Sequence, residues 1–328
     1  MEILPGVRQF KLPLPDRHLG YIFVYLLERS DGYLLIDTGW DTAASQEALT
    51  AQLAAAGVDY RDITLVMCTH FHPDHYGSAG MVKERARAKL VMHRLDPPKG
   101  MRRPHATMEA FVESMQEWLL SHGFPEEHIR QIGPPRWMQR GHLQTVETDI
   151  VAEDGDTLEL KGGPVRLLWT PGHTPGHLCL YDPRRRLLFS GDHVLPKITP
   201  SIAVHGEESG NPLGDFLASL RKVQGLDVEL ICPGHEYTFG GLARRVDELV
   251  AHHEERCEEI LKAIRIGHTT SYAIASRIHW NVGSWEQMSY WLHRAALGET
   301  LAHLEHLVQT GRVARRRDDG RWSFTLPA

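Results

Sequence analysis

Short apolar runs, many of them β-branched or aromatic, recur along most of the chain, and most stop at a turn bearing Gly, Pro or Asp. Residues 21–27 are such a run. Ser30-Asp31-Gly32 follows, then a second run at 33–36, a pattern that predicts a β-hairpin ending at Asp37-Thr38-Gly39. Residues 42–57 are rich in Ala and Leu and close on Gly57, which predicts a helix. A buried strand is expected at 63–68, a helix at 76–88 and a further strand at 89–93. Strands resume at 157–160, 165–169, 178–181, 187–190 and 228–232, with a helix at about 212–223.

Between 94 and 142 the pattern changes. Pro97-Pro98, Pro104, Pro125 and Pro134-Pro135 break it, and 106–121 reads as an amphipathic helix with Met108, Phe111, Met115 and Leu119 on one face. This predicts a helical insertion that serves as a pocket wall or as a satellite helix packed for stability. Residues 244–266 predict a long charged connecting helix closed by Gly267. Beyond it, helices are expected at 270–280, 285–297 and 299–309, with a terminal hairpin around Asp319-Gly320. Three helices and a hairpin suggest a winged-helix-like unit. The expected organisation is a catalytic domain over 1–242 with the insertion at about 94–142, a connecting helix at 243–267 and a winged-helix-like domain at 268–328.

The 328 residues, 42% hydrophobic and 24% charged, suffice for a large core. A net charge of −6 gives no global attraction to nucleic acid or to an anionic membrane. The four cysteines have no paired spacing, the early residues lack a signal-type apolar region, and the run at 21–27 is too short for a bilayer. A cytoplasmic protein with no membrane partner is expected.

Histidine is abundant, at 21 residues. Four metal-capable side chains fall in His70-Phe71-His72-Pro73-Asp74-His75. Three more follow in strand-end turns: His173 in Pro171-Gly172-His173, Asp192 in Gly191-Asp192, and His235 in Pro233-Gly234-His235. Imidazole and carboxylate suit zinc and similar divalent ions. Seven candidate ligands exceed what one tetrahedral ion uses, so two metals are expected. Strand ends can converge on one point, as ligand sites of α/β folds do.

These motifs, in this order and with Asp37-Thr38-Gly39 ahead of them, resemble the metallo-β-lactamase superfamily over roughly residues 20–240. The resemblance implies an α/β fold, an αββα sandwich with metals at one edge. It also implies a partition of the ligands: His70, His72 and His173 on the first metal, Asp74, His75 and His235 on the second, and Asp192 bridging. Zinc-type lactamases commonly place a cysteine at the second metal. Asp192 instead makes the set similar to that of glyoxalase II, related thioesterases and metal-dependent ribonucleases, while His72 speaks against a flavodiiron protein.

The chemistry implied is hydrolysis by two divalent ions, Zn2+ first with Fe or Mn as alternatives: a metal-bound hydroxide attacks a thioester, ester, lactone or lactam carbonyl. Asp74 is the candidate catalytic residue. His177 is expected to orient a ligand, and Asp37 is a candidate for the same role, with a structural role favoured for it. Lys197, His205 and Tyr237 are candidates for substrate contact. The soft apolar residues Met101, Met108, Phe111, Met115, Trp118, Trp137 and Met138 favour an acyl or aromatic substrate, small or carried on a protein. The alternatives are a lactamase-like endoribonuclease, a winged-helix regulator on an inactive scaffold, and an iron dioxygenase. The arginines at 315–317 are interrupted by Asp318 and Asp319, and the preceding helix lacks exposed basic residues, so nucleic acid is not favoured, although RNA stays open. A homodimer is a further open expectation.

Overall fold

The computed structural model describes residues 1–15, 19–96, 108–132, 146–206 and 210–327. The chain divides into two compact units. The first comprises Met1–Arg102, Pro135–Pro200 and Ser219–Arg245; the second comprises Arg103–Pro134, Ser201–Ala218 and Val246–Ala328.

The first unit holds two sheets. One has seven strands in sequence order: β1 (Glu2–Leu4), β2 (Val7–Pro13), β3 (Tyr21–Arg29), β4 (Gly32–Ile36), β5 (Ile63–Met67), β6 (Lys89–His93) and β7 (Ile150–Ala152). Strands β1–β4 form an antiparallel meander and β4–β7 pair in parallel. The other sheet has five strands, in the order β12 (Leu230–Pro233), β11 (Leu187–Gly191), β10 (Leu178–Asp182), β9 (Gly163–Trp169) and β8 (Thr157–Leu160).

Alternate side chains of β3–β6 serve two cores, because successive strand residues point to opposite faces. Tyr25, Leu27, Leu34, Ile36, Met67 and Val91 pack with Leu158, Val165, Leu167, Leu180 and Phe189 of the second sheet. Val24, Leu26, Leu35, Val66 and Leu90 pack instead with Leu49 and Leu53 of α1 (Ala43–Ala55) and with Val82 of α3 (Ala79–Ala86). Burial on both faces explains why these strands read as continuous apolar runs. The architecture is the mixed α/β sandwich that the motifs implied. Strands β4, β5, β9, β11 and β12 each end just before a chemistry-bearing turn.

Several expected elements differ. The helix at 76–88 is two pieces, α2 (Pro73–Tyr76) and α3. Ser78 breaks it, since its N–H and hydroxyl donate to the Gly39 and Trp40 carbonyls at 3.0 Å instead of continuing the helical ladder. Strands β1, β2 and β7 were not expected. In the second unit, α4 (Met108–Ser121) buries Met115, Trp118 and Leu119. Residues 97–107 and 133–145, with the side chains of Met108 and Phe111, lie outside the described residues, and so do Met101, Trp137 and Met138.

Helices α5 (Glu126–Ile129), α6 (Pro212–Gln224) and α7 (Leu242–Arg265) follow. The helix expected at 270–280 is only α8 (Ser271–Ala275), because Trp280 Nε1 donates back to the Ala275 carbonyl at 2.9 Å. The two helices expected on either side of Gly298 are one, α9 (Tyr290–Gln309), preceded by a 3-10 turn at Trp285–Gln287. Gly298 does not break the helix; it admits a neighbour. The Val204 N–H donates to its carbonyl at 3.0 Å, and a Cβ there would stand 3.0 Å from the Val204 oxygen. The hairpin β13 (Ala314–Asp318) and β14 (Arg321–Thr325) is as expected.

Candidate metal centre

The cluster is assembled from four strand ends of the first unit. The turn after β5 supplies His70, His72, Asp74 and His75; Pro73 opens α2, which carries Asp74 and His75. The turns after β9, β11 and β12 supply His173, Asp192 and His235. Gly234 lets the last of these close in, because a Cβ there would lie 2.6 Å from His75 Cε1 and 2.8 Å from Asp192 Oδ1.

All seven side chains expected as ligands converge. Three overlapping groups could each hold a metal ion: His70, His72 and His173; His70, His75 and Asp192; Asp74, His75 and His235. Nε2 of His70 lies 3.0 Å from Nδ1 of His72. Nε2 of His173 lies 3.6 Å from Asp192 Oδ2. Nε2 of His75 is 3.3 Å from Asp192 Oδ1 and 3.8 Å from Asp74 Oδ2. Nε2 of His235 is 3.2 Å from Asp74 Oδ2 and 3.5 Å from Asp192 Oδ2.

These spacings match a coordination shell, since a tetrahedron with metal–ligand bonds of about 2.0–2.1 Å has edges of about 3.4 Å. Nε2 of His75, Nε2 of His235 and Oδ1 of Asp192 are buried without a well-formed hydrogen bond. Buried polar atoms normally have a partner, and a cation among lone-pair donors would supply one. The donor set is nitrogen and oxygen only. All four cysteines are free and buried, and none belongs to these groups.

Charge is balanced within the cluster. Burial pushes His70 well below the ordinary histidine range, aided by His75, His72 and His173, and pushes His72 down to about 3. Against the same desolvation, the Asp192, Asp37 and Asp74 carboxylates hold His75 well above that range. Asp192 and Asp74 likewise raise His235 to about 10 against its burial. Asp74, although buried, is brought down to about 2 by His75 and His235. Asp192, also against burial, lies well below the usual carboxylate range because of His235 and His75.

Asp37 and His177 support the cluster from behind. Asp37 accepts from the Thr69 N–H at 2.8 Å and from its hydroxyl at 3.0 Å, and its Oδ2 lies 2.8 Å from His75 Nδ1. His177 Nε2 accepts the Asp192 N–H at 3.2 Å, which leaves Nδ1 to donate to the Thr170 hydroxyl at 2.9 Å.

Lys197 and Tyr237 are exposed beside the His235 turn, with Lys197 Nζ 5.7 Å from the Tyr237 ring centroid. His205 belongs to the second compact unit, where it is exposed near Gly298; the three ligand groups do not include it. Sequence reasoning missed Thr69, Thr170 and Asp96. Asp96 is fully buried and accepts from the Thr174 hydroxyl at 2.6 Å and the Gly176 N–H at 2.9 Å, holding the turn that bears His173. A carboxylate just past β6, at the same edge as the ligands, was the available signal.

The sequence model of the metallo-beta-lactamase superfamily matches residues 18–235, and that of the metallo-beta-lactamase-like C-terminal domain matches residues 286–327. The chain belongs to the metallo-β-lactamase superfamily, as a hydrolase of that group. Among solved structures, the metallo-beta-lactamase family protein TTHA1429 of Thermus thermophilus aligns over 99% of this chain and 100% of its own, at 30% identity and a TM-score of 0.82.

Among curated relatives, the probable metallo-hydrolase YqjP of Bacillus subtilis is 24% identical over 82% of this chain and 83% of its own length. The acyl-coenzyme A thioesterase MBLAC2 of Homo sapiens is 26% identical over 66% and 74%. The atrochrysone carboxyl ACP thioesterase of Aspergillus fumigatus is 27% identical over 74% of this chain, which spans only 59% of that relative. Among the described residues, no helix is long and apolar enough to cross a membrane.

Proposed function

We propose that the chain is a binuclear metal-dependent thioester hydrolase. The observation that carries this reading is the all-nitrogen-and-oxygen cluster, with His70, His72 and His173 on one side of Asp192 and Asp74, His75 and His235 on the other. His70, His72 and His173 would hold the first ion, Asp74, His75 and His235 the second, and Asp192 would bridge. Zinc suits these donors, with iron or manganese as alternatives for metal analysis to decide. Two such ions, when bound, polarise a carbonyl and lower the pKa of water toward about 7.

The chain's own groups do the rest. Asp74 orients the attacking water and carries its proton. Asp37 fixes the tautomer of His75, and His177 holds the Asp192 backbone in place. No serine or cysteine nucleophile is needed. Similarity to two relatives named as thioesterases favours a thioester, small or carried on a protein, over the ester, lactone and lactam alternatives.

For residues 268–328 we keep the winged-helix-like resemblance with a packing role. His293, Thr300 and His303 of α9 are buried, and Arg315 and Arg316 are paired with Glu305 and Asp318, so this surface offers few free cations to a nucleic acid.

The test is a hydrolysis panel on protein of defined metal content, with acyl thioesters, lactones, a chromogenic β-lactam and short RNA. Turnover of thioesters first among these is expected. Cleavage of RNA alone, or one bound metal per chain, would overturn the reading.

A further inference from the structure

The rim beside His235 carries two lysines, each laid over a tyrosine. Lys11 Nζ lies 3.6 Å from the Tyr21 ring centroid, and Lys197 Nζ reaches over Tyr237. Both lysines are exposed, and among the described residues neither is engaged by a carboxylate. Lys11 stands opposite Phe23 across β2 and β3, and Tyr21 is two residues from Phe23, so all three share one face of the sheet. The Tyr21 and Phe23 rings are 5.2 Å apart.

Glu236 joins the two lysine–tyrosine pairs to each other and to the metal cluster. The Tyr21 hydroxyl donates to the Glu236 carbonyl at 2.8 Å, and the Tyr21 carbonyl lies 3.1 Å from His235 Nδ1. The Glu236 carboxylate accepts the N–H groups of Lys197 at 2.9 Å and Ile198 at 3.1 Å. From the other side, Arg245 donates to the carbonyls of Leu195, Lys197 and Ile198. Glu236 itself sits at φ 69°, a costly conformation for a non-glycine residue.

The loop is thus held by the Glu236 carboxylate and the Arg245 guanidinium, and its exposed side chains are Lys197 and Ile198. Such pre-ordering has a use if a ligand is met there, because the loop then loses little entropy on binding. Two point cations over aromatic faces suit a phosphate attached to an uncharged, partly apolar chain.

We propose that this shelf binds the phosphorylated pantetheine arm of the leaving thiol, the chemistry shared by coenzyme A and the prosthetic group of acyl-carrier proteins. The proposal deepens, and rests on, the thioesterase reading: the sulfur lies at the metal cluster, and the phosphate lies outward on Lys11 and Lys197.

The test is calorimetric titration of the metal-loaded protein with coenzyme A, 4′-phosphopantetheine and pantetheine, which share the thiol and differ in phosphate. Wild type is expected to prefer the two phosphorylated ligands roughly tenfold or more. In Lys11→Ala/Lys197→Ala that ratio should fall toward one. Raising ionic strength in wild type should erode the same preference, which tests the shelf even if the variant fails to fold.

Equal affinity for all three ligands in wild type, or a salt-independent preference, would overturn the proposal. Coenzyme A equal to phosphopantetheine means that only the arm phosphate is read, as a carrier protein would present it. Coenzyme A binding tighter adds the nucleotide end. A pantetheine thioester assayed in parallel separates the two readings. Phosphate preference without hydrolysis would sink the thioesterase reading, whereas hydrolysis without preference would sink the shelf.

Discussion

Asp37 Oδ2 lies 2.8 Å from His75 Nδ1, and the same carboxylate receives the N–H and hydroxyl of Thr69. Both oxygens are therefore committed, and the imidazole must carry its proton on Nδ1. Nε2, turned toward Asp74 and Asp192, is thereby the nitrogen whose lone pair becomes available to a cation once its proton leaves. Asp37 holds this position at φ 62°, in the left-handed region, at the end of β4. A residue 38 positions earlier in the chain thus decides which nitrogen of His75 can bind a cation.

Replacing Asp37 by Ala should weaken metal binding at the His75 side of the cluster by about 10–100-fold, because the tautomer and ring orientation are no longer imposed. Occupancy measured by competitive chelation should fall for one ion of two. Equal loss of both ions, or of neither, would remove Asp37 from this role.

Metal uptake by the metal-free protein should release protons. His235, raised to about 10, and His75, also raised, are protonated at pH 7 in the empty cluster, and ligation requires their neutral forms. Calorimetry in buffers of different ionisation enthalpy should report about two protons released at pH 7. Apparent affinity should weaken as pH falls. Proton-neutral binding would contradict the assignment of His75 and His235 as ligands.

Asp96 is expected to position His173 through the turn at Thr174 and Gly176. Asp96→Ala leaves a buried hydroxyl and N–H without an acceptor, which costs about 1–3 kcal/mol and loosens the turn. The affinity of the His70–His72–His173 side should drop about tenfold, with Asp96→Asn recovering part of it. A variant that lowers thermal stability but binds both ions normally would show that Asp96 is structural only.

The seven candidate ligands were legible because each lies in a local motif at a strand end. His70 to His75 fall on one turn, and Pro-Gly-His recurs at 171–173 and 233–235. What could not be read locally was how they are held. The Asp37 contact to His75 and the Asp96 contact to Thr174 join segments far apart in sequence, and nothing near either aspartate announces its partner. Gly298 misled for a related reason: it looked like a helix boundary, but its missing side chain serves the approach of Val204. Strand β2 is hard to read because Pro13 and the edge-like mixture of Lys11 and Arg8 obscure an alternation that buries Phe10 and Leu12 on one face, with Val7 buried on the other.

His303 carries a prediction for the second unit. It is buried in α9; Nδ1 donates to the Glu299 carbonyl at 2.8 Å, and Nε2 lies 3.1 Å from His253 Nδ1. Burial, opposed by the Glu299 carbonyl and assisted by Arg256, His252 and His306, pushes it down to about 3. The unfolded chain takes up this proton near pH 6.5 and the folded chain only near pH 3, so stability present above pH 6.5 is lost as pH falls between those values. Between pH 7 and pH 5 the loss from this one residue is about 2 kcal/mol. His303→Gln should be less stable than wild type at pH 7, yet its urea-unfolding free energy should fall less steeply toward pH 5, so the two curves approach each other. Parallel curves would show that His303 does not titrate as its burial requires.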